Sequence, residues 1–353
     1  MKEDVTSNVG FTCAYTPLAL IDAAGFAPYR ILPLGSSPEL AGRILHDNLC
    51  PHIKRILDRA LGHDLPELAG VVFLNSCDAM RRLSDAWRAV RPGDRMVLID
   101  LPAIPGETAV PYFARELSRL ADVLSEWRGG PVSHKAIGES IERYNEAATL
   151  FEGLRVRLRN GGVSGGAARL QALYNRAVTH PLNEACAMLK IAAGEPPSRS
   201  IDNSGVPIFA FGNVLPDPEA FELFETCGAK IVEADFCTGA REFAPLEITG
   251  SGDILTQLAR GTLSRPRCAR MIKPDKPGGI AEEVLERALA CNARGVIACA
   301  AKFCDPYIAR IPGVKELLRK AGIPLLQIEG DCTMRSFGQQ RTRIEAFAEM
   351  LRR

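Results

Sequence analysis

Three cysteines of this sequence stand where an α/β protein usually keeps its chemistry, just beyond a strand or at the start of a helix. Cys77 follows the apolar run in VVFLNSCDAMRRL, and Cys50 and Cys304 open the turns CPHIK and CDPY. A helix N-terminus carries partial positive charge and lowers the pKa of a thiol, which favours a thiolate and a bound anionic group. Three thiolates from three loops can hold three irons of a cubane iron–sulfur cluster and leave the fourth iron open. From the residues alone, a zinc site or a chance placement remains an alternative.

The number and spacing of the cysteines limit the kind of site. The chain has 353 residues and 11 cysteines, and an odd, high count in a large chain argues against a disulfide framework. No CxxC pair occurs, which excludes the usual zinc ribbon and the compact ferredoxin arrangement. Any metal site must therefore be assembled from distant segments. Five cysteines in helical or strand patterns are predicted to be packing residues: Cys186, Cys227, Cys268, Cys291 and Cys299.

Alternating helical and apolar patterns in residues 1–106 predict a parallel sheet that would position these cysteines. AYTPLALIDAAG and CPHIKRILDRALG are predicted helices, with prolines near their starts and glycines at their ends. YRILPLG, LAGVVFLNS and RMVLIDLP are predicted strands, and DAMRRLSDAWRAV is the helix between the last two. Such alternation is typical of a doubly wound sheet, in which ligands bind beyond the carboxyl ends of the strands.

The pattern changes at about residue 107 and changes back at about residue 200. Residues 107–200 show only helical periodicity, interrupted by NGGVSGG and closed by the linker GEPPSRS. Residues 201–353 alternate again, from the strand VPIFAFGNV to the closing helix QRTRIEAFAEMLRR. We therefore predict an α/β fold of two doubly wound parallel-sheet domains, Rossmann- or flavodoxin-like, at 1–106 and 201–353, with the helical segment 107–200 between them.

Composition and motifs exclude several functions. The net charge is +1 and no basic run carries interleaved aromatics, so nucleic acid is not an expected partner. No apolar stretch reaches the roughly 18 residues of a membrane span, and MKEDVTSNVGF lacks the apolar core of a signal peptide. We therefore expect a cytoplasmic protein with no membrane association. Neither GxGxxG nor GxxxxGK(S/T) follows a predicted strand, so neither dinucleotide nor P-loop binding is indicated.

Six segments together resemble one family. They are FTCAYTPLALIDAAGFAPYRI, DNLCPHIK, NSCDAMRRLSDAW, ADFCTGARE, KFCDPY and GIPLLQIEGDCTMRSFGQQRTRIEAFAEML. In this order, from about Gly10 to the C-terminus, they resemble the 2-hydroxyacyl-CoA dehydratases, a family that also contains benzoyl-CoA reductase subunits and double-cubane cluster reductases. KFCDPY and GQQRTRIEAF are the most specific pieces, whereas CDAMRRL, and Cys332 where a tyrosine is more usual, depart from the family pattern.

The resemblance implies a cofactor, a chemistry and partners. It implies one [4Fe-4S] cluster held by Cys50, Cys77 and Cys304, or a double-cubane cluster at a dimer interface. It also implies one-electron chemistry on an acyl-CoA thioester, in which a ketyl radical anion expels hydroxide. The electron would come from a separate ATP-hydrolysing iron–sulfur activator, since this chain has no P-loop. A homologous α/β subunit, in a homo- or heterodimer, is the other expected partner.

Several assignments stay open at the level of sequence. Cys13 in TCAYTP and Cys237 in DFCTGAR also lie in family-like segments, so either could replace one member of the triad. His46 and His52 flank Cys50 and are predicted to be helix-surface residues, and no catalytic acid or base is assigned. Dehydratase or reductase subunit, double-cubane reductase of another small molecule, and non-catalytic electron-storage subunit are the three functions that the sequence allows.

Overall fold

Two four-stranded parallel sheets form the framework of the protein. A computed structural model describes residues 7–34, 39–196, 205–248, 252–272, 279–330 and 338–353, and Cys332 lies outside these ranges. The strands of the first sheet are β1 (Asn8–Phe11), β2 (Ala27–Arg30), β3 (Leu68–Asn75) and β4 (Met96–Asp100), in the order β2-β1-β3-β4. The strands of the second sheet are β5 (Val206–Gly212), β6 (Ala229–Asp235), β7 (Gly295–Ala301) and β8 (Leu325–Gly330), in the order β6-β5-β7-β8. All pairings are parallel, so the predicted fold class is confirmed.

Helices connect the strands of each sheet. In the first sheet they are α1 (Leu18–Ala23), α2 (Pro51–Leu61) and α3 (Asp78–Val90), with a short 3-10 helix at Ala41–Arg43. In the second they are α8 (Pro218–Thr226), α9 (Ile254–Ser264), α10 (Ile280–Ala290), α11 (Asp305–Lys320) and α12 (Arg341–Arg352). In each sheet the direction of the strand order changes between the two central strands, β1 and β3 in the first sheet and β5 and β7 in the second. Such a change creates a crevice at the carboxyl ends of these strands.

Four helices without strands separate the two sheets along the chain. They are α4 (Val110–Arg128), α5 (His134–Arg159), α6 (Gly166–Ala177) and α7 (Leu182–Gly194). Arg155 and Arg159 of α5 and Arg287 of α10 converge on Glu233 of β6, at Nη2–carboxylate distances of 2.7, 2.5 and 2.8 Å. Because the Glu233 side chain is 2% exposed, this ion-pair network ties α5 to the second sheet in a buried setting.

Two elements were not predicted from the sequence. Strand β1 is four residues long and was not predicted, yet it pairs with both β2 and β3 in the middle of its sheet. Helix α9 was not predicted either, although Asp253 caps it by accepting hydrogen bonds from the amides of Leu255 and Thr256. A four-residue strand is too short to display a period, so its identity depends on its neighbours. None of the helices in the described ranges is long and apolar enough to cross a membrane.

The segment after α9 joins the second half of the chain to the carboxyl edge of the first sheet. Arg270 donates through Nη1 to the carbonyl oxygen of Leu101 at 2.7 Å and through Nη2 to that of Asn75 at 3.1 Å. The amide of Ile272 donates to the carbonyl oxygen of Ala103 at 2.9 Å. The same segment therefore contacts the chain directly after β3 and β4, where Cys77 lies.

Candidate functional site

Each of the three predicted ligand cysteines is the residue immediately before a helix. Cys50 precedes α2, Cys77 precedes α3 and Cys304 precedes α11. Their carbonyl oxygens accept early helical hydrogen bonds, at 3.2, 3.1 and 3.0 Å respectively, and proline follows within two residues in α2 and α11. The predicted placement just beyond a strand or at the start of a helix is confirmed.

The structure brings these three cysteines together from three distant segments. The thiols of Cys50 and Cys304 share a hydrogen bond, and Cys77 interacts electrostatically with Cys304. Cys50 is 7% exposed, and the pair packs against Val214 and Ala301, which follow β5 and end β7. The group, which we call the first thiol group, thus joins the helix starts of the first sheet to the carboxyl end of the second.

Asn213 links the end of β7 to the first thiol group. Its side-chain oxygen accepts from the amide of Ala301 at 3.1 Å, and its side chain also hydrogen-bonds the thiol of Cys304. Gly212, just before it, lies so close to β7 that a Cβ atom would stand 1.9 Å from the carbonyl oxygen of Cys299. A side chain at position 212 would therefore separate the two strands and displace Asn213 from Cys304.

The residue before Cys304 has an unusual backbone conformation. Phe303 adopts φ +57°, the left-handed region that bulky residues rarely occupy, and its side chain is 43% exposed. This conformation turns the chain sharply between the end of β7 and the start of α11. Local strain of this kind is typical of functional positions, and here it orients the thiol of Cys304.

The surroundings of Cys77 and Cys304 raise the pKa of both thiols, although each lies at a helix N-terminus. Burial raises the pKa of Cys77 to about 11, although a backbone hydrogen bond with Met80 acts in the opposite direction. The hydrogen bond with Cys50, followed by burial, raises the pKa of Cys304 further. The expectation that a helix start lowers the pKa is therefore wrong for Cys77 and Cys304, because burial and, for Cys304, the hydrogen bond with Cys50 outweigh the field of one helix end. A bound cation would be needed to keep these two thiols deprotonated.

A second set of thiols lies against the first. Cys237 shares a hydrogen bond with Cys268, and Cys13 interacts electrostatically with both Cys237 and Cys77. Cys237 also packs beside Cys50 and Cys304. We call Cys13, Cys237 and Cys268 the second thiol group. Six cysteines from six segments therefore share one region at the carboxyl ends of the two sheets.

Cationic side chains surround the second thiol group. Arg241 donates through Nη1 to Sγ of Cys237 at 3.2 Å, while its Nε pairs with Oδ1 of Asp235 at 2.9 Å. Arg30 donates to the carbonyl oxygen of Cys237 at 2.6 Å and forms a buried ion pair with Glu242. The hydrogen bond from Cys268, assisted by the two arginines, lowers the pKa of Cys237 to about 6. Cys237 is thus predisposed to ionise in the absence of any metal.

Sequence reasoning found part of this second group. The sequence allows Cys13 and Cys237 as alternative ligands but predicts that Cys268 is a packing residue. The thiol of Cys268 instead contacts Cys237, and its amide donates to the hydroxyl of Tyr15 at 3.0 Å. The sequence does contain a signal for this role, because three arginines lie within four residues of Cys268 in SRPRCAR.

His52 lies inside the protein and not on a helix surface. It is 4% exposed, and neither ring nitrogen has a hydrogen-bond partner in the described part of the chain. Burial lowers its pKa to about 3, and the positive charge of Arg30 acts in the same direction. The surface assignment for His52 is therefore wrong, and this imidazole is neutral at pH 7. His46 is exposed, as predicted, but it lies in the segment before α2 and not in a helix.

No three side chains among the described His, Cys, Asp and Glu residues are arranged to enclose a single metal ion. A cubane cluster has a different requirement, because each thiolate binds a different iron, and the hydrogen-bonded thiols of Cys50 and Cys304 would have to separate to hold one. The donors present are thiols without disulfide bonds, on separate loops, in a largely buried region. This donor chemistry suits an iron–sulfur cluster better than a closed tetrahedral site.

The fold and the site define the class: a protein of two parallel α/β sheets that gathers six cysteine thiols at their carboxyl ends. The chain belongs to the family described as 2-hydroxyglutaryl-CoA dehydratase, D-component, whose model matches residues 13–351. The beta subunit of the lactoyl-CoA dehydratase of Anaerotignum propionicum is 24% identical over 352 residues, which cover 97% of this chain and 91% of that protein. One of the subunits of the benzoyl-CoA reductase of Thauera aromatica is 25% identical over 330 residues, which cover 91% and 84%. The beta subunit of the (R)-phenyllactyl-CoA dehydratase of Clostridium sporogenes is 24% identical over 364 residues, which cover 99% and 93%.

Proposed function

We propose that this chain is the iron–sulfur subunit of an enzyme of the 2-hydroxyacyl-CoA dehydratase or benzoyl-CoA reductase type. The observation that carries the proposal is the convergence of Cys50, Cys77 and Cys304, each at the start of a different helix, in a member of this family. Similar relatives are named as subunits of acyl-CoA dehydratases and of a benzoyl-CoA reductase. The substrate class proposed is therefore an acyl-CoA thioester.

The first thiol group would hold a [4Fe-4S] cluster through three irons. When bound, such a cluster would supply one electron to the thioester, giving a ketyl radical anion that expels hydroxide and makes the β-hydrogen acidic. The chain itself contributes the ligands, their orientation through Asn213, and a largely buried setting that limits access of water. We assign no acid or base, because His52 is buried beside a positive charge and has no hydrogen-bond partner among the described residues.

The proposal requires two protein partners. A homologous α/β subunit is favoured because similar relatives are named as individual subunits of larger enzymes, two of them as beta subunits. A separate ATP-hydrolysing activator is favoured because the sequence has no GxxxxGK(S/T) loop that could couple ATP to a low-potential electron. The activator would need to approach the thiol groups closely, since electron transfer requires proximity.

Anaerobic purification tests the cofactor directly. We expect a coloured, oxygen-labile protein with equal amounts of iron and acid-labile sulfide and an EPR signal upon reduction. Stoichiometric zinc without sulfide, or a colourless protein after reconstitution with iron and sulfide under argon, would show that the first thiol group does not hold a cluster.

The second thiol group favours a second candidate, a double-cubane-type reductase of another small molecule. Six thiols in two sets of three would suffice for two linked cubanes within one chain, so no dimer interface would be needed to complete the ligand set. The two candidates differ in metal content, about four irons per chain against about eight.

Cys268→Ala separates these two candidates. If the chain holds one cluster, this variant should keep the full iron content of the wild type, because Cys268 is outside the first thiol group. If it holds two, the variant should lose about half of the iron. The readout is iron and sulfide per chain after anaerobic purification, with Cys299→Ala, a buried strand cysteine, as the control that both candidates predict to be unchanged.

A further inference from the structure

Arg270 is fixed beside the thiols by backbone carbonyl groups. Its Nη1 donates to the carbonyl oxygens of Leu101 and Pro102 at 2.7 and 3.1 Å, and its Nη2 donates to that of Asn75 at 3.1 Å. Leu101 and Asn75 lie at the carboxyl ends of β4 and β3. Three bonds to rigid strand ends leave the guanidinium little freedom, so its position relative to the site is well defined.

This guanidinium interacts with thiols of both groups. Cys77 follows Asn75 by two residues, and Cys268 precedes Arg270 by two. Arg270 interacts electrostatically with Cys13, Cys268 and Cys77, in that order of strength. Arg270 therefore acts on members of the first and of the second thiol group from the carboxyl ends of β3 and β4.

The positive charge of Arg270 has no carboxylate close by. In the ranges that the structure describes, no Asp or Glu oxygen lies within ion-pair distance of its nitrogens. Asp100 interacts with it at longer range, but the Asp100 carboxylate already accepts from Asn75 at 2.7 Å and from Tyr112 at 2.9 Å. Arg270, which is half-buried, thus brings to the site a positive charge that forms no ion pair within the described residues.

A second arginine repeats the pattern. Arg265 is 6% exposed and donates through Nη1 to the carbonyl oxygen of Ala14 at 3.1 Å, next to Cys13. Its Nε has no hydrogen-bond partner among the described residues. Buried cations without counterions are strongly destabilising, so proteins keep them where an anionic group completes the charge balance. Thiolates that carry a metal cluster are such a group.

We propose that Arg270 is a positioning residue that balances the negative charge of a thiolate-held cluster and thereby raises its reduction potential. This inference rests on the proposed function. The reduced cluster carries one more negative charge than the oxidised one, so a fixed guanidinium a short distance away stabilises the reduced form more strongly. The position of Arg270 is set by its hydrogen bonds to the first sheet. Of the three thiols that it interacts with, Cys77 belongs to the first thiol group, and Cys13 and Cys268 belong to the second.

Redox titration of Arg270 variants tests this role. Arg270→Gln removes the charge and retains a donor for the strand-end carbonyls, whereas Arg270→Lys retains the charge. Arg157→Gln is the matched control, because the Arg157 guanidinium also donates to backbone carbonyls, those of Ala193, Gly162 and Glu195, within the helical segment. The measurement is EPR-monitored titration of each anaerobic protein, normalised to its iron content.

We expect Arg270→Gln to change the oxidised-to-reduced ratio at the wild-type midpoint by about tenfold toward the oxidised form, which is about 59 mV for a one-electron couple. Arg270→Lys and Arg157→Gln should change the oxidised-to-reduced ratio by no more than about twofold, which corresponds to a midpoint shift well below about 59 mV. An unchanged midpoint in Arg270→Gln with full iron content overturns the role of Arg270 alone. Equal shifts, or loss of the cluster, in both Arg270 variants would mean that the carbonyl bonds matter and the charge does not. A wild-type protein without sulfide overturns the proposed function, and this inference with it.

Discussion

The thiols of Cys77 and Cys237 differ in pKa according to what lies beside each one. Burial raises the pKa of Cys77 to about 11, while Cys268 and two arginines lower that of Cys237 to about 6. Both residues follow the carboxyl end of a strand, so position in the fold does not explain the difference. The neighbouring hydrogen-bond donors and charges do.

The first prediction at this scale separates a ligand from a packing cysteine. Cys77→Ala should lose the bound cluster, because one of three thiolates in the first thiol group is removed. Cys291→Ala should keep it, because that side chain lies at the end of α10, outside both thiol groups, and its Sγ donates to the carbonyl oxygen of Ala288. Iron and sulfide analysis of both anaerobic proteins is the measurement, and equal iron content in the two variants would contradict the assignment.

The second prediction concerns pH and Asp217, the residue before α8. Burial, reinforced by Glu219, raises the pKa of Asp217 to about 6, and its side chain makes no capping hydrogen bond. The folded protein therefore holds this proton more tightly than the unfolded chain, whose Asp pKa is about 3.9. The contribution of Asp217 to stability is highest below about pH 4 and falls as the pH rises through about 6.

Asp217→Asn should remove that pH-dependent loss. We expect a gain of about 1 kcal/mol at pH 8, discounted for partial exposure of the side chain, and no gain at pH 4. Chemical denaturation at the two pH values measures it. Asp253→Asn is the control, because backbone hydrogen bonds hold the pKa of the Asp253 carboxyl below its usual range and its neutralisation should give no gain. A constant difference between Asp217→Asn and wild type across this pH range would rule out the proton as the cause.

At the scale of elements, the connection between the helical segment and the second sheet depends on one carboxylate. Glu233 in β6 accepts from Arg155 and Arg159 of α5 and from Arg287 of α10. The three arginines hold its pKa below the usual range although burial acts in the opposite direction. Three guanidinium groups share a single buried partner, so loss of that partner affects both helices at once.

Glu233→Ala should therefore destabilise the protein by about 2 kcal/mol, because three half-buried arginines lose the buried carboxylate that they share. The loss is limited because Glu152 still pairs with Arg155 and Arg159, and Asp235 still pairs with Arg287. Glu316→Ala is the matched control: Glu316 also pairs with two cations, Arg319 and Lys320, but on the surface of α11, where such pairs contribute little. Urea denaturation of the two variants measures the difference. Similar midpoints for both would show that the Glu233 network does not hold α5 to the sheet.

At the scale of the whole molecule, the proposed function would need more than this chain. Injection of an electron into a thioester requires a potential below that of common cellular donors, and the sequence has no P-loop through which ATP could drive the step. We expect the isolated protein, even with its cluster intact, to show no turnover with acyl-CoA substrates. The assay is anaerobic, with a strong chemical reductant, with and without ATP. ATP-stimulated turnover by this chain alone would show that ATP hydrolysis is coupled to electron transfer within this chain.

The sequence by itself determined the local features that a short stretch of chain can encode. Alternating apolar and helical patterns predict both sheets, and the proline after Cys50 marks the start of α2, because such signals need only neighbouring residues. The placement of Cys50, Cys77 and Cys304 at helix starts follows from the same signals.

The tertiary structure alone decided what depends on contacts between distant segments. Strand β1 is too short to show a period, and it forms because β2 and β3 supply its hydrogen bonds. The approach of Cys268 to Cys237, and of Arg270 to the strand ends at Asn75 and Leu101, follows from packing that no periodicity describes. Burial is likewise a property of the folded chain. It raises the pKa of Cys77, whereas the field of the helix start, which the sequence does reveal, predicts a lower pKa.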